Sequence, residues 1–237
     1  MQSHGLTVNP DKMPLFQTSA DFATGAQKAL TLLEAHREAF VIAEPLANET
    51  GHTVPSDTKS WSQILVSVLT GLSGRARLKG SDLDDGSDVK AACVWGAVDT
   101  PRFNGCLPCG RTTVAAKKAD DVSALDDEPF LFFVLWDTKP TVMQKRCRVW
   151  VVRPPVDTEF RKLASKWYAL RAKGVITSTN CQLHPPRNLD TNVIRNTCGN
   201  LEYPLFFSAV YDSATKKWVQ ETLNPSVLES GSCKPSL

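Results

Sequence analysis

The run Phe130 to Trp136 (FLFFVLW) constrains this chain more than any other feature. It is apolar throughout, too short for an ordinary helix, and reads as a strand buried on both faces. Arg148 to Val152 (RVWVV), closed by Pro154-Pro155, reads as a second central strand, and Leu205 to Tyr211 (LFFSAVY) with Trp218-Val219 as a final pair. Helical spacing predicts cover for such a sheet. From Ser19 to about Phe40, Phe22, Ala26, Leu30, Leu33 and His36 or Arg37 recur at intervals of three and four, with Ser19 or Asp21 as cap. A second helix starts at Ser56 or Asp57, carries Trp61, Ile64, Leu65, Val68 and Leu72 on one face, and ends at Gly71 and Gly74. A third covers 157–173, capped by Asp157, with Phe160, Leu163, Ala164, Trp167 and Leu170 as its apolar stripe. Residues 44–58, 96–129 and 175–204 have loop composition, and short strands are expected at 76–83 and 87–95. The order predicts a single α/β or α+β domain: a tail at 1–17, then one unit at 18–237, with helices in 18–74 and the sheet and its loops in 75–237.

Composition excludes other classes. The chain has 237 residues, 42% apolar and 22% charged, which is ordinary globular usage. No window of 18 apolar residues exists to span a membrane, and the start, MQSHGLTVNPDKMPLF, lacks the apolar core of a secretory signal. Seven cysteines without such a signal point to a reducing cytoplasm, with free thiols or a metal site. Net charge is +2, but unevenly spread. Residues 1–60 hold 4 basic and 7 acidic side chains, whereas 139–195 hold 12 basic and 3 acidic. A basic stretch in a near-neutral chain suits a polyanion-binding face, although a solvated helix with its flanking loops has the same composition.

The segment Gly80 to Ala92 (GSDLDDGSDVKAA) carries the chemistry. A three-residue loop, Asp84-Asp85-Gly86, would pair Leu83 with Ser87 and set Asp82 opposite Asp88 on one face, roughly 4.5–5.5 Å apart. Alternation adds Lys90 to that face and sends Val89 to the other. Two carboxylates that close repel unless a cation lies between them, and hard oxygen ligands suit Mg²⁺. Such an ion polarises a phosphoryl oxygen and activates water, and Lys90 can stabilise the charge that develops. The pattern fits metal-dependent phosphodiester hydrolysis; an acidic, solvated turn is the plain alternative. A second Asp-x-Lys, Asp137-Thr138-Lys139, has Asp126 and Asp127 before the same strand, but nothing local folds them back to it.

Asp82 followed by Asp88-Val89-Lys90 resembles the PD-(D/E)xK nuclease signature, with Ser81 in place of the usual Pro. The segments GSDLDDGSDVKAACVWG, FFVLWDT, RVWVVRPP, WYALRAKGVITSTNCQLHPPRN and GNLEYPLFFSAVYD, in this order, resemble type II restriction endonucleases of the MamI group over about residues 60–212. The resemblance implies a restriction-endonuclease-like core with a mixed central sheet flanked by helices. It also implies Mg²⁺-dependent cleavage of a specific double-stranded DNA site, a homodimer, and a bacterial cytoplasmic setting.

A DNA cleft needs cations and readers of base edges. Lys139, Lys145, Arg146, Arg148, Arg153, Arg187 and Arg195 supply the first. The loop around Pro185-Pro186 supplies Gln182, His184, Arg187 and Asn188; arginine pairs with guanine, and asparagine or glutamine with adenine. Cys106-x-x-Cys109 is half of a zinc knuckle, which Cys181 and His184 could complete, although free thiols are the plainer reading. His4, His36 and His52 stand apart and read as surface side chains, and Trp218 as the close of a strand. The competing functions are a zinc-containing, non-catalytic DNA-binding protein and a structure-specific repair nuclease of the same fold.

Overall fold

The computed structural model describes residues 19–51, 58–75, 80–94, 101–108, 122–137, 145–186, 188, 190–230 and 234–235. The expected tail at 1–17 lies outside them. A five-stranded mixed sheet organises the chain: β1 (Asp88–Cys93), β2 (Leu131–Asp137), β3 (Arg146–Val152), β6 (Leu205–Asp212) and β7 (Lys217–Leu223), in the order β1-β2-β3-β6-β7. β1 and β2 are parallel, and the other neighbours antiparallel. A smaller sheet joins β4 (Val193–Asn196), β5 (Gly199–Glu202) and β8 (Lys234–Pro235).

Every residue of β2 is buried, as its all-apolar sequence requires of a strand covered on both sides. Phe132, Val134 and Trp136 face a core shared with Phe22, Ala26, Leu33, Leu65 and Leu69 of α1 (Ser19–Thr50) and α2 (Lys59–Thr70). Leu131, Phe133 and Leu135 face a second core with Phe160, Leu163, Trp167 and Tyr168 of α3 (Thr158–Ala172), joined by Phe103, Cys181 and Leu183. The Asp157 side chain accepts the Phe160 N–H at 2.8 Å and caps α3 as expected.

Five expectations change. α1 does not stop near Phe40 but continues through Pro45 to Thr50, whose hydroxyl donates to the Leu46 carbonyl at 2.7 Å. One proline removes one backbone donor, and the Ala, Glu and Leu around it favour helix. On α2 the buried set is Ser62, Leu65, Val66, Leu69 and Thr70, leaving Ile64 49% exposed. Ser62 turns inward because its hydroxyl accepts the Trp136 indole N–H at 2.7 Å and donates to the Thr58 carbonyl. His36 is not a surface side chain: it packs against Trp61 and Trp136, with ring centroids 5.1 and 4.4 Å away, and burial lowers its pKa. The stretch 175–204 contains the β4–β5 hairpin, whereas among the described residues before the acidic turn a bridge, Gly74 to Leu83, forms and 80–82 adopt no strand; residues 76–79 of the expected strand lie outside the described residues. No helix among the described residues is long and apolar enough to cross a membrane.

Candidate active site

The parallel pairing of β1 and β2 creates the site. Asp88 lies beside Leu131, so both strands begin at the same end of the sheet. The Asp88 N–H donates to the Phe130 carbonyl at 3.0 Å, and the Phe130 N–H to the Ser87 hydroxyl at 3.2 Å. The residues preceding β2 are thereby held against the turn preceding β1. The expected loop is present: the Leu83 N–H reaches the Ser87 carbonyl at 3.0 Å, and Gly86 has φ +101°. A Cβ at Gly86 would meet the Asp127 carbonyl oxygen at 3.0 Å, so glycine is required both for φ and for space.

The acids meet without the expected hairpin ladder. Asp82 reaches β1 through its side chain: Oδ2 accepts the Val89 N–H at 3.0 Å and Oδ1 accepts from Gln63 Nε2 of α2 at 2.6 Å. Burial, then hydrogen bonding and charge from the neighbouring Asp88 carboxylate, push Asp82 up to about 6. Lys90 Nζ pairs with Asp88 Oδ2, and the two side chains are only 18% and 19% exposed. Burial pulls Lys90 down, but the charge of Asp88, aided by its hydrogen bond and by Cys106 and Glu128, raises it overall, so the ammonium stays charged.

Glu128 is the fourth member, and it went unnoticed in the sequence. Burial first, then the charges of Asp88 and Asp82 against the opposing pull of Lys90, push it up to about 8. Its only sequence signal is its place just before an all-apolar strand. That signal becomes useful once β1 and β2 are known to be parallel. Gln63 offered no sequence signal, being one polar residue on a helix.

The donor set fits a hard divalent cation. Mg²⁺ is commonly held by one or two carboxylates with water and substrate phosphate completing its shell. Asp82 and Asp88 lie close enough to feel each other's charge, and two carboxylates that close are the arrangement that a cation between them would relieve. Among the described residues, no three His, Cys, Asp or Glu side chains gather where they could hold a metal ion, so water and substrate oxygens would have to complete the shell of a cation held by Asp82 and Asp88. Cys106 and Cys181 are joined through the backbone at 3.0 Å, but both are free thiols, and burial pushes Cys106 up to about 12. They do not converge with His184 on a metal position; Cys109 lies outside the described residues.

The basic stretch divides. Asp137 and Arg146 mark the far end of β2 and β3, about 20 Å from the Asp88 end at ~3.3 Å per residue. Arg148 is 2% exposed, lies 4.0 Å from Asp137 and stands over the Trp150 ring at 5.0 Å. As a buried sheet residue it offers almost no surface to a phosphate. Lys145 precedes β3 at that same far end, beside the Tyr211 ring. Asp137 has Arg148 and Arg146 as neighbours rather than a second acid, and burial raises its pKa. Asp126 instead pairs with Arg161 at 2.7 Å. Lys139 and Arg187 lie outside the described residues. By contrast, Gln182, His184 and Arg195 sit together: His184 and Arg195 exchange both backbone hydrogen bonds, at 2.7 and 2.9 Å, and Arg195 also donates to the Pro185 carbonyl. Asn188 is exposed.

No solved structure matches the chain. The type II restriction enzyme MamI of Microbacterium ammoniaphilum is 32% identical over 171 residues, which cover 69% of this chain and 54% of that enzyme. The chain thus spans about half the length of this relative. The family model of the MamI restriction endonucleases matches residues 45–215, taking in α2, the acidic turn, β1 to β6 and part of α1. With more than half its length matched, and a mixed sheet flanked by helices as its core, the chain belongs to the MamI restriction endonuclease family.

Proposed function

We propose that the chain is a Mg²⁺-dependent type II restriction endonuclease that hydrolyses a phosphodiester bond at a specific site in double-stranded DNA, acting as a homodimer. The observation that carries this reading is the junction of Asp82, Asp88 and Lys90 at one end of the β1–β2 pair, with Glu128 beside them. Asp82 and Asp88 would hold the cation, which when bound polarises the scissile phosphoryl group and lowers the pKa of water. Gln63 and the Val89 N–H keep the Asp82 carboxyl aimed. Lys90, charged and largely shielded from solvent, offsets the negative charge that grows on the phosphoryl oxygens. In the reaction, a water oxygen bonds to phosphorus, the bond from phosphorus to one sugar oxygen breaks, and that oxygen takes a proton. Glu128 can carry a proton near neutral pH and is suited to exchanging one with water in the crevice.

Incubating the full chain with plasmid and Mg²⁺ tests this. Discrete fragments are expected, and EDTA should abolish them. Nicking or smearing would favour a repair nuclease, and retention on DNA without cutting would favour a binding protein.

A further inference from the structure

We propose that Asn104, Asn180 and Gln182 form a base-reading site that presents one hydrogen-bond donor and one acceptor to the major-groove edge of adenine beside Lys90. The proposal rests on the nuclease reading above and names the base chemistry that this chain recognises.

The amides stand on a fixed ribbon. Phe103 and Leu183 exchange both backbone hydrogen bonds, at 2.8 and 3.0 Å, and the Cys106 N–H donates to the Cys181 carbonyl at 3.0 Å. The inner side chains, Phe103, Cys106, Cys181 and Leu183, are buried in the α3-side core. The outer ones are polar: Asn104 and Asn180 are exposed, and Gln182 is half-buried. A two-stranded ribbon is one of the shapes that the major groove of B-DNA admits.

Their polarity follows from one backbone group. The Gly105 N–H donates at 2.7 Å to the Asn180 side chain, which must therefore offer its oxygen there. Asn180 Nδ2 then faces Asn104 and donates to its Oδ1 at 3.1 Å. Gln182 Nε2 donates to the same oxygen at 2.9 Å. That oxygen now has two donors and is saturated. The Asn104 Nδ2 hydrogens and the Gln182 Oε1 lone pairs have no partner among the described residues. The outward pattern is one donor beside one acceptor.

Adenine matches this pattern. Its major-groove edge offers N7 as acceptor and N6–H as donor, so N7 meets Asn104 and N6–H meets Gln182. Guanine presents two acceptors and would set O6 against Gln182 Oε1. The ribbon also adjoins the chemistry: a Cβ on Gly105 would stand 4.0 Å from Lys90 Nζ. A base read here lies close to the phosphate that Lys90 serves.

The test first selects bound duplexes from a library with a randomised central segment, using the full chain with Ca²⁺ in place of Mg²⁺. One adenine in the selected site should be sensitive to two replacements. Changing it to 7-deazaadenine removes the N7 acceptor, and N6-methyladenine removes the major-groove donor. Each should weaken binding by the unaltered protein at least ~2-fold, and both together by about 5- to 150-fold, the scale of a bidentate base contact. The variants should be blind in a matched way: Asn104→Ala indifferent to 7-deazaadenine, and Gln182→Ala to N6-methyladenine. Because the base replacements act on unaltered protein, a variant that fails to fold leaves the test intact. A selected site in which no adenine responds to either replacement overturns the proposal, as does binding without sequence preference. If the plasmid is still cut into discrete fragments in that case, the nuclease reading survives and only the amide reading fails. A protein that neither cuts nor retains DNA fails at the earlier step and takes both readings with it.

Discussion

Lys90 pairs with Asp88 and feels the charges of Glu128 and Asp82, and the balance among them decides what each can do. Asp88 holds the ammonium directly, so removing either partner leaves a desolvated charge without compensation. Asp88→Ala and Lys90→Ala should each reduce single-turnover cleavage by at least ~10²-fold, the scale for losing one transition-state contact, while DNA binding in Ca²⁺ persists. Full activity in Asp88→Ala would move the site to Asp137 and Lys139. A pH effect follows from Asp82 and Glu128, whose pKa values in the fold, about 6 and about 8, lie above those of an unfolded chain. The metal-free protein therefore binds more protons when folded between about pH 4 and 8, and their contribution to stability is lost as pH rises through that window. Glu128→Gln copies the protonated form. Its melting temperature in EDTA, relative to the unaltered protein, should climb from pH 5 to pH 8, and a flat difference would remove Glu128 from the charged crevice.

Elements bring these residues together, and most of the elements were legible in the sequence. β2, β3, β6 and α3 follow from apolar runs or 3.6-residue spacing closed by Asp157 or by prolines. The acidic turn follows from Asp84-Asp85-Gly86, and Asp82, Asp88 and Lys90 follow with it. Pairing was not legible, because periodicity says which face a strand buries but not which strand lies beside it. β1 was expected to pair with the stretch before the turn and instead runs parallel to β2, which is why Glu128 went unseen. The α2 stripe was misjudged for a related reason: Ser62 is buried by a bond to Trp136, a partner 74 positions away. α2 also steadies the site, since Gln63 holds Asp82. Its seat on α1 is close, for a Cβ at Gly25 would come 2.3 Å from the Val68 backbone oxygen. In an isolated helix, alanine at that position would gain ~1 kcal/mol over glycine. Here the contact forces the helices apart, so Gly25→Ala should destabilise the protein by ~1–3 kcal/mol despite that gain. Calorimetry should show a lower melting temperature, and a rise would mean that α1 yields without strain.

At the scale of the whole molecule, charge and symmetry would set how the proposed nuclease engages DNA. The basic surplus of 139–195 is not one face, since Arg148 is internal and Arg146 pairs with Glu221 at 3.4 Å. Arg148→Ala would strand Asp137 without its closest cation, at a cost of about 3–5 kcal/mol, and should lower the melting temperature while leaving the salt dependence of DNA binding unchanged. A slope flattened by about one unit would instead make Arg148 a phosphate contact. The proposed homodimer rests on a count of sites. The chain carries one Asp82–Asp88–Lys90 crevice, whereas a duplex has two antiparallel strands related by twofold axes. Two copies sharing such an axis can place one crevice on each strand, but one copy must release the duplex and rebind in the opposite orientation. The two routes differ in their intermediates. A dimer should convert supercoiled plasmid to linear product with little nicked circle, and sedimentation with a short duplex carrying the selected site should show two chains per duplex. Nicked circles that accumulate and then slowly become linear, together with one chain per duplex, would establish a monomer acting on each strand in turn.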